Sequence, residues 1–285
     1  MEGYPDRKVE KDRENIYSTF SQVDLHRRVA GIVREHSTNR RDIREVALEG
    51  IDLSRCREVL DIGCGFGFFT EALAGRVHPE AVVTGLDMIG GYEPMFLESC
   101  RKAGFRGRFL SSDTAVIPEL GRKVFDLALC SYALYFFPEA IPDVAVSLRA
   151  NGCFIAITHS TDNMRELVQA VKDALEVLRG RRPERLPIED ITERFSSENG
   201  AAVLARSFSG IRSVDYPNKF VFRPDEFYLL KDYFRFKGSL YVSGGEPLEK
   251  IMELLPGRIS PGSDGGISIS KDDRIFICYE PRHGD

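Results

Sequence analysis

The chain has 285 residues, of which 42% are hydrophobic and 29% charged. That mixture suits a folded globular protein, and no run approaches the ~18 apolar residues of a membrane-spanning helix. The net charge of −5 argues against a nucleic-acid partner, because phosphate binding relies on clustered Lys and Arg.

Two basic clusters stand out: Arg34, Arg40, Arg41 and Arg44, then Arg179, Arg181, Arg182 and Arg185. Both read as solvated helix ends or loops. The cysteines Cys56, Cys64, Cys100, Cys130, Cys153 and Cys278 form no C-x-x-C pair and have few histidines near them. No metal site is expected; reduced core thiols in a cytoplasmic protein are. The charged start, Met1 to Asp12, has no apolar run after it and is not read as a secretory signal.

Residues 1–14 are expected to fray. Apolar Ile16, Phe20, Val23, Val29, Ile32 and Val33 predict one or two amphipathic helices over 15–35. A short helix over 42–50 ends at Gly50. From Glu58 the pattern changes: strands are predicted at 58–62, 81–86, 108–111, 125–131 and 153–158, with helices at 68–73, 94–103 and 141–150 between them. Such alternation implies parallel strands joined by crossovers. Beyond it come a helix at 163–178 with Met164, Leu167, Val168, Val171, Leu175 and Leu178 on one face, a loop at 180–190 and an interrupted helix at 191–208. The remainder reads as a strand at 211–222 with Pro217 at an edge or bulge, helices at 224–236 and 247–255, a turn at 260–266 and a last strand at 274–279.

The most informative stretch is Val59-Leu60-Asp61-Ile62-Gly63-Cys64-Gly65-Phe66-Gly67. A strand runs into a turn with three alternating glycines, a place where a ligand approaches the backbone at the carboxyl end of a strand. Asp87 follows about 20 residues later, where an acid that bonds ribose hydroxyls belongs. Dinucleotide sites favour G-x-G-x-x-G and a pyrophosphate; here the spacing is G-x-G-x-G and the next residue is Phe68. Asp61, just before the turn, would repel a pyrophosphate and suits a cationic ligand bearing an amino group. Asp113, past the third strand, is placed to accept from an adenine amine, with Thr114 offering a backbone N–H. An Asx turn or helix cap is the alternative reading for Asp113.

With these landmarks in order, the chain resembles the class I S-adenosylmethionine-dependent methyltransferases over about residues 55–160. The resemblance rests on Val59 to Gly67, Gly85-Leu86-Asp87-Met88, Ser112-Asp113, Phe125-Asp126-Leu127 with Ser131-Tyr132-Ala133-Leu134, and Leu148 to Cys153. It implies a doubly wound, Rossmann-like α/β fold: a seven-stranded, mostly parallel sheet with helices on both faces and the last strand antiparallel. It further implies S-adenosylmethionine as cofactor, with S-adenosylhomocysteine as product, held by Asp61, Gly63, Cys64, Gly65, Gly67, Phe68, Asp87, Met88, Asp113, Thr114, Ser131 and Tyr132. Many small-molecule members have His after the fourth strand; this chain has Leu134-Tyr135-Phe136, which puts a His base there in doubt.

Tyr135 and His159 are the candidate catalytic groups, each at the end of a strand on the ligand side. A packing aromatic and a capping His are the plain alternatives. Tyr17 and Phe20, in an N-terminal helical cover (1–50), and Phe227 and Tyr228, in an aromatic-rich helical lid insertion (224–258), are candidate acceptor contacts. The core is then 51–223 with 259–285. Methyl transfer to a small-molecule acceptor is the first expectation, with an O, N or C nucleophile. RNA or protein methylation, a non-catalytic S-adenosylmethionine-binding protein and a nicotinamide-dependent dehydrogenase are the alternatives. No membrane partner is expected, and a homodimer is compatible with the sequence.

Overall fold

The computed structural model describes residues 7–242, 247–260 and 265–283, with side chains from residue 13. In chain order the elements begin with α1 (Arg7–Phe20), α2 (Val23–His36), α3 (Ile43–Leu48), β1 (Glu58–Ile62), β2 (Val82–Asp87), α4 (Glu93–Ala103), β3 (Arg106–Ser111) and β4 (Phe125–Ser131). They continue with α5 (Ile141–Ser147), β5 (Leu148–His159), α6 (Arg165–Arg179), α7 (Pro187–Arg194), α8 (Gly200–Leu204) and β6 (Phe208–Tyr216). The last are β7 (Lys219–Phe222), α9 (Phe227–Tyr241), α10 (Leu248–Leu254), β8 (Ile267–Ser270) and β9 (Asp273–Pro281). Part of the turn expected at 260–266, and the first six residues of the charged start, lie outside the described residues.

The chain divides into two compact units. The sheet unit takes Arg40–Thr161, Thr192–Pro217 and Asp272–Asp285; the helical unit takes Met1–Asn39, Asp162–Ile191 and Asn218–Lys271.

The sheet unit carries seven strands in the order β3-β2-β1-β4-β5-β9-β6. The first five are parallel, and β9 runs antiparallel to both β5 and β6. This is the expected seven-stranded, mostly parallel sheet. The inner strands are apolar on both faces, with Val59, Leu60, Leu127, Ala128 and Leu129 buried, as strands covered on both sides require. Helix α4 opens with Pro94 in its first turn and stops at Gly104, which takes the left-handed conformation (φ 85°) that ends many helices. Gly85 in β2 leaves room for the α4 side chain Phe96: a Cβ there would stand 2.5 Å from that ring and 2.7 Å from the Cys64 sulfur. Gly85→Ala is therefore expected to overpack the core and cost about 1–3 kcal/mol, read by urea unfolding. All six cysteines are buried and free, and all lie in this unit. Burial pushes their thiols up, Cys56 to about 11 and Cys153 to about 12.

The helical unit is built on α6, whose Leu167, Val168, Val171 and Leu175 are buried with Phe220, Phe222, Leu230, Phe234, Ile251 and Leu255. Leu178, expected on the same face, is 36% exposed. Met164 precedes α6 with φ 57° instead of starting the helix. The strand expected at 211–222 is two strands: β6 ends at Tyr216, and after Pro217 the chain enters β7, which pairs with β8 in a separate two-stranded sheet. Pro lacks the N–H a ladder needs. Arg182 pairs with Asp173 and Glu176, and Arg185 with Asp190 at 2.7 Å, so these two arginines are spent locally. Among the described residues no helix is long and apolar enough to cross a membrane, and no cluster of His, Cys, Asp or Glu is placed to hold a metal ion.

Candidate active site

The strand order reverses between β1 and β4: the chain moves outward from β1 through β2 to β3, then returns to the other side. Open α/β sheets bind ligands at the carboxyl ends of strands beside such a switch. The glycine-rich turn leaves β1 there. Gly63, Gly65 and Gly67 all have positive φ, 65°, 49° and 83°. A Cβ on Gly63 would stand 2.7 Å from the Cβ of Ala133, so this position demands glycine twice over.

The turn is pinned to the end of β2. The N–H groups of Gly63 and Cys64 donate to the Leu86 carbonyl at 2.7 and 3.2 Å, and the Gly67 N–H donates to the Cys64 carbonyl at 2.9 Å. The Gly65 N–H donates to Oδ2 of Asp87 at 2.9 Å, while Oδ1 accepts from Ile89 N–H at 2.9 Å. The turn thus spends four of its N–H groups internally. No α-helix starts behind it either: the helix expected at 68–73 is a four-residue 3-10 turn, Thr70–Leu73. A pyrophosphate site uses free N–H groups at a helix N-terminus, and this turn is built otherwise.

Three carboxyl groups stand at or beyond neighbouring strand ends. Asp61 is buried at 2% exposure and accepts from Thr70 Oγ1 at 3.0 Å. Burial pushes its carboxyl up to about 7; the Thr70 bond pulls it down, and the Asp87 charge pushes it further up. Asp87 is half-buried and also raised by burial, against the pull of its two backbone bonds. Asp113 caps the turn that follows β3, its Oδ1 accepting from Ala115 N–H at 2.9 Å, with Thr114 as the first residue of that turn. The cap reading of Asp113 is therefore realised at one of its oxygens. Met88 is half-buried behind Asp87, and the Cys64 thiol is buried and pushed well up. Phe68 lies 4.6 Å under the Arg44 guanidinium, and its carbonyl accepts from Arg44 Nη1 at 2.7 Å. Asp126, a landmark of the resemblance, sits at the opposite edge, accepting from Arg57 and Glu58 N–H groups at 2.8 and 3.0 Å.

Beyond the switch, β4 ends at Ser131, whose buried Oγ has no hydrogen-bond partner. A buried hydroxyl without a partner is costly and calls for a ligand or water. Tyr132 follows with φ 56°, a left-handed conformation that strains a non-glycine residue. Its ring stacks on His159 at 4.8 Å, and its hydroxyl donates to Oδ2 of Asp273 at 2.9 Å. His159 Nδ1 lies 2.7 Å from the other oxygen of Asp273, and Tyr135, buried, stacks at 5.7 Å from the same imidazole. One carboxylate thus fixes both the Tyr132 phenol and the His159 ring. Burial first, then the Asp273 charge and hydrogen bond, hold the Tyr132 phenol far above its ordinary range.

Sequence reasoning singled out Tyr132, Tyr135 and His159 but missed Asp273. It opens β9, the antiparallel strand, and pairs in register with His159. An antiparallel last strand begins at the edge where the parallel strands end, and counting back from that reversal would have found it. Tyr17, Phe20, Phe227 and Tyr228 belong to the helical unit. There Tyr17 and Tyr228 are about 60% exposed, while Phe20 and Phe227 pack against the apolar core of that unit.

Residues 59–152 match the methyltransferase domain family. The malonyl-(acyl-carrier protein) O-methyltransferase of Legionella pneumophila is 28% identical over 119 residues, which are 40% of this chain and 40% of that protein. Aklanonic acid methyltransferase DauC of Streptomyces sp. strain C5 is 32% identical over 87 residues, 30% of this chain and 40% of that protein. The chain spans about two fifths of the length of these curated relatives. Among solved structures, the (4+2)-cyclase SpnF is similar over 93% of this chain and 95% of its own, with a TM-score of 0.54 and 14% identity.

Proposed function

We propose, on the premise that this chain carries a class I S-adenosylmethionine-dependent methyltransferase domain, that it transfers a methyl group to a small organic acceptor. The observation that carries the reading is the row of carboxyl groups, Asp61, Asp87 and Asp113, beside a glycine turn whose N–H groups are spent internally. Such a row fits a ligand with a cationic amino-acid end, a ribose diol and an adenine amine, and it repels a pyrophosphate. The partnerless Ser131 hydroxyl leaves one more polar group for that ligand. When bound, S-adenosylmethionine supplies an electrophilic methyl group on a sulfonium.

The chain's own residues then position the acceptor and handle its proton. An acceptor hydroxyl or amine would give up a proton on being methylated, with the donor's thioether as the leaving group. His159 takes that proton, and Asp273 keeps the imidazole oriented and stabilises its charged form. Positioning supplies most of the rate, because the methyl donor is already reactive. Pairing of Arg41 with Glu49 at 2.9 Å and of Arg44 with Asp42 at 2.6 Å favours a small acceptor over RNA.

The fold alone does not fix the chemistry, since a solved cyclase shares it. The test is calorimetric titration with S-adenosylhomocysteine and, separately, NADH, followed by transfer of a labelled methyl group to candidate acceptors. Micromolar binding of the former alone is expected; binding of NADH alone would overturn the reading.

Asp61 gives that binding a pH signature. The folded carboxyl holds its proton to about pH 7, well past its ordinary value of 3.8. The unfolded chain ionises this carboxyl from about pH 4 while the empty folded protein keeps its proton, so stability falls progressively as pH rises from about 4 to 7. A ligand with a cationic end favours the ionised form, so binding releases a proton below about pH 7. Affinity for S-adenosylhomocysteine should fall up to about tenfold per pH unit on going from 7 to 5.5, while a flat profile would remove Asp61 from the cationic end.

A further inference from the structure

In the helical unit, three groups able to carry positive charge converge from three separate stretches: His26 of α2, Lys237 of α9 and Lys271 after β8. Lys237 Nζ lies 4.3 Å from the centre of the Phe20 ring and 5.2 Å from that of Phe236. His26 stacks on Phe236 at 4.9 Å, and Phe20 meets His26 and Phe236 edge-on at 5.4 and 5.6 Å. Lys271 is itself buried, its ammonium 6.0 Å from the Phe220 ring. Lys237 is half-buried along its length.

Among the described residues no carboxylate hydrogen-bonds or ion-pairs with Lys237, whose electrostatic neighbours are Lys271 and His26. Burial, then repulsion from Lys271, pushes the Lys237 amine down to about 7; burial, then Lys237, pushes His26 down to about 3. His26 is thus neutral and aromatic in character at physiological pH. Ring faces attract an ammonium but do not replace the hydrogen bonds it loses on leaving water. An anion would restore them. The walls choose among anions: Phe20 and Phe236 provide apolar contact and no donors, so a multiply charged oxyanion would leave most of its oxygens unsatisfied. A single negative charge on an apolar body suits both features.

We propose that Lys237, with Lys271 and His26 beside it, forms a subsite for an organic carboxylate, the carboxylate on the Lys237 ammonium and its apolar body against Phe20 and Phe236. This goes beyond methyl transfer and does not depend on it.

The test is calorimetric titration of the intact chain with octanoate, with octanol as the uncharged body and with inorganic phosphate as the bare charge. Octanoate should bind with one site per chain, and octanol and phosphate at least about tenfold more weakly. Lys237→Met should weaken octanoate at least about tenfold, and Lys237→Arg should keep it within about threefold. The Met variant should melt no lower than the parent without octanoate, because it removes an unpaired buried charge. Octanoate should also protect Lys237 of the parent from reductive methylation, read by peptide mass, which decides the matter should the Met variant not fold. Equal octanoate binding by parent and Lys237→Met, equal binding of octanol, or no protection would overturn the proposal. S-adenosylhomocysteine binding, measured alongside, should be the same in parent and variants; its absence from the parent would sink the methyltransferase reading and leave this one standing.

Discussion

Replacing Asp87 by asparagine should weaken S-adenosylhomocysteine binding by at least about 100-fold, or ~2.7 kcal/mol, in a chain that still folds. In the structure Asp87 does two things. Its oxygens take the N–H groups of Gly65 and Ile89, which shapes the glycine turn, and its half-buried charge faces the same edge of the sheet. Asparagine keeps the size but offers one acceptor and one donor. One of the two N–H groups is then left facing another donor, at a cost of about 1–3 kcal/mol. A ligand diol that donates to the carboxylate loses a charge-assisted bond as well. The expected result is thus a modest fall in melting temperature with a much larger fall in affinity. Unchanged affinity with a lowered melting temperature would make Asp87 a turn-shaping residue only.

The second large effect is on turnover. His159→Ala should lower kcat about 10²- to 10³-fold on an acceptor that must lose a proton, the range of a positioned general base. Cofactor binding should be unaffected, and added imidazole should restore part of the rate. Asp273→Asn should act in the same direction by about 10- to 100-fold, because the carboxylate that orients Nδ1 is gone. Tyr132→Phe tests whether Asp273 serves the phenol instead: it removes the 2.9 Å hydrogen bond and keeps the ring on His159. It should cost only a few-fold. An effect of Tyr132→Phe as large as that of Asp273→Asn, or a His159→Ala enzyme at full rate, would exclude the base.

The site was legible where its signal is local. The run from Val59 to Gly67 and the acid at Asp87 announce a strand, a turn and a carboxyl at the end of the next strand because each depends on neighbours in the chain. The antiparallel end of the sheet was legible only through the resemblance. Asp273 was not read at all, since its partner His159 is 114 residues away and only the register of β5 with β9 joins them. The helix expected after the turn fails to form for a local reason of another kind: Thr70 turns its hydroxyl inward to Asp61, and the backbone tightens into a 3-10 turn there. Pro217 was read as an edge or bulge within one strand, whereas it separates two strands of different sheets, because an apolar run such as 219–222 does not say which sheet it joins.

The cysteines turn the chain into its own reporter. All six lie in the sheet unit, and none in the helical unit. Each thiol is enclosed and held protonated by burial, so a thiol reagent at neutral pH meets no reactive thiolate while that unit is closed. Labelling then proceeds only through opening, local or global, and its rate measures how often the sheet comes apart. Peptide mapping would place each event: Cys64 and Cys100 report the side of the glycine turn, Cys278 the antiparallel strand that carries Asp273. A bound ligand at the glycine turn should slow the first pair more than the last, and the helical unit contributes no signal to confuse the two.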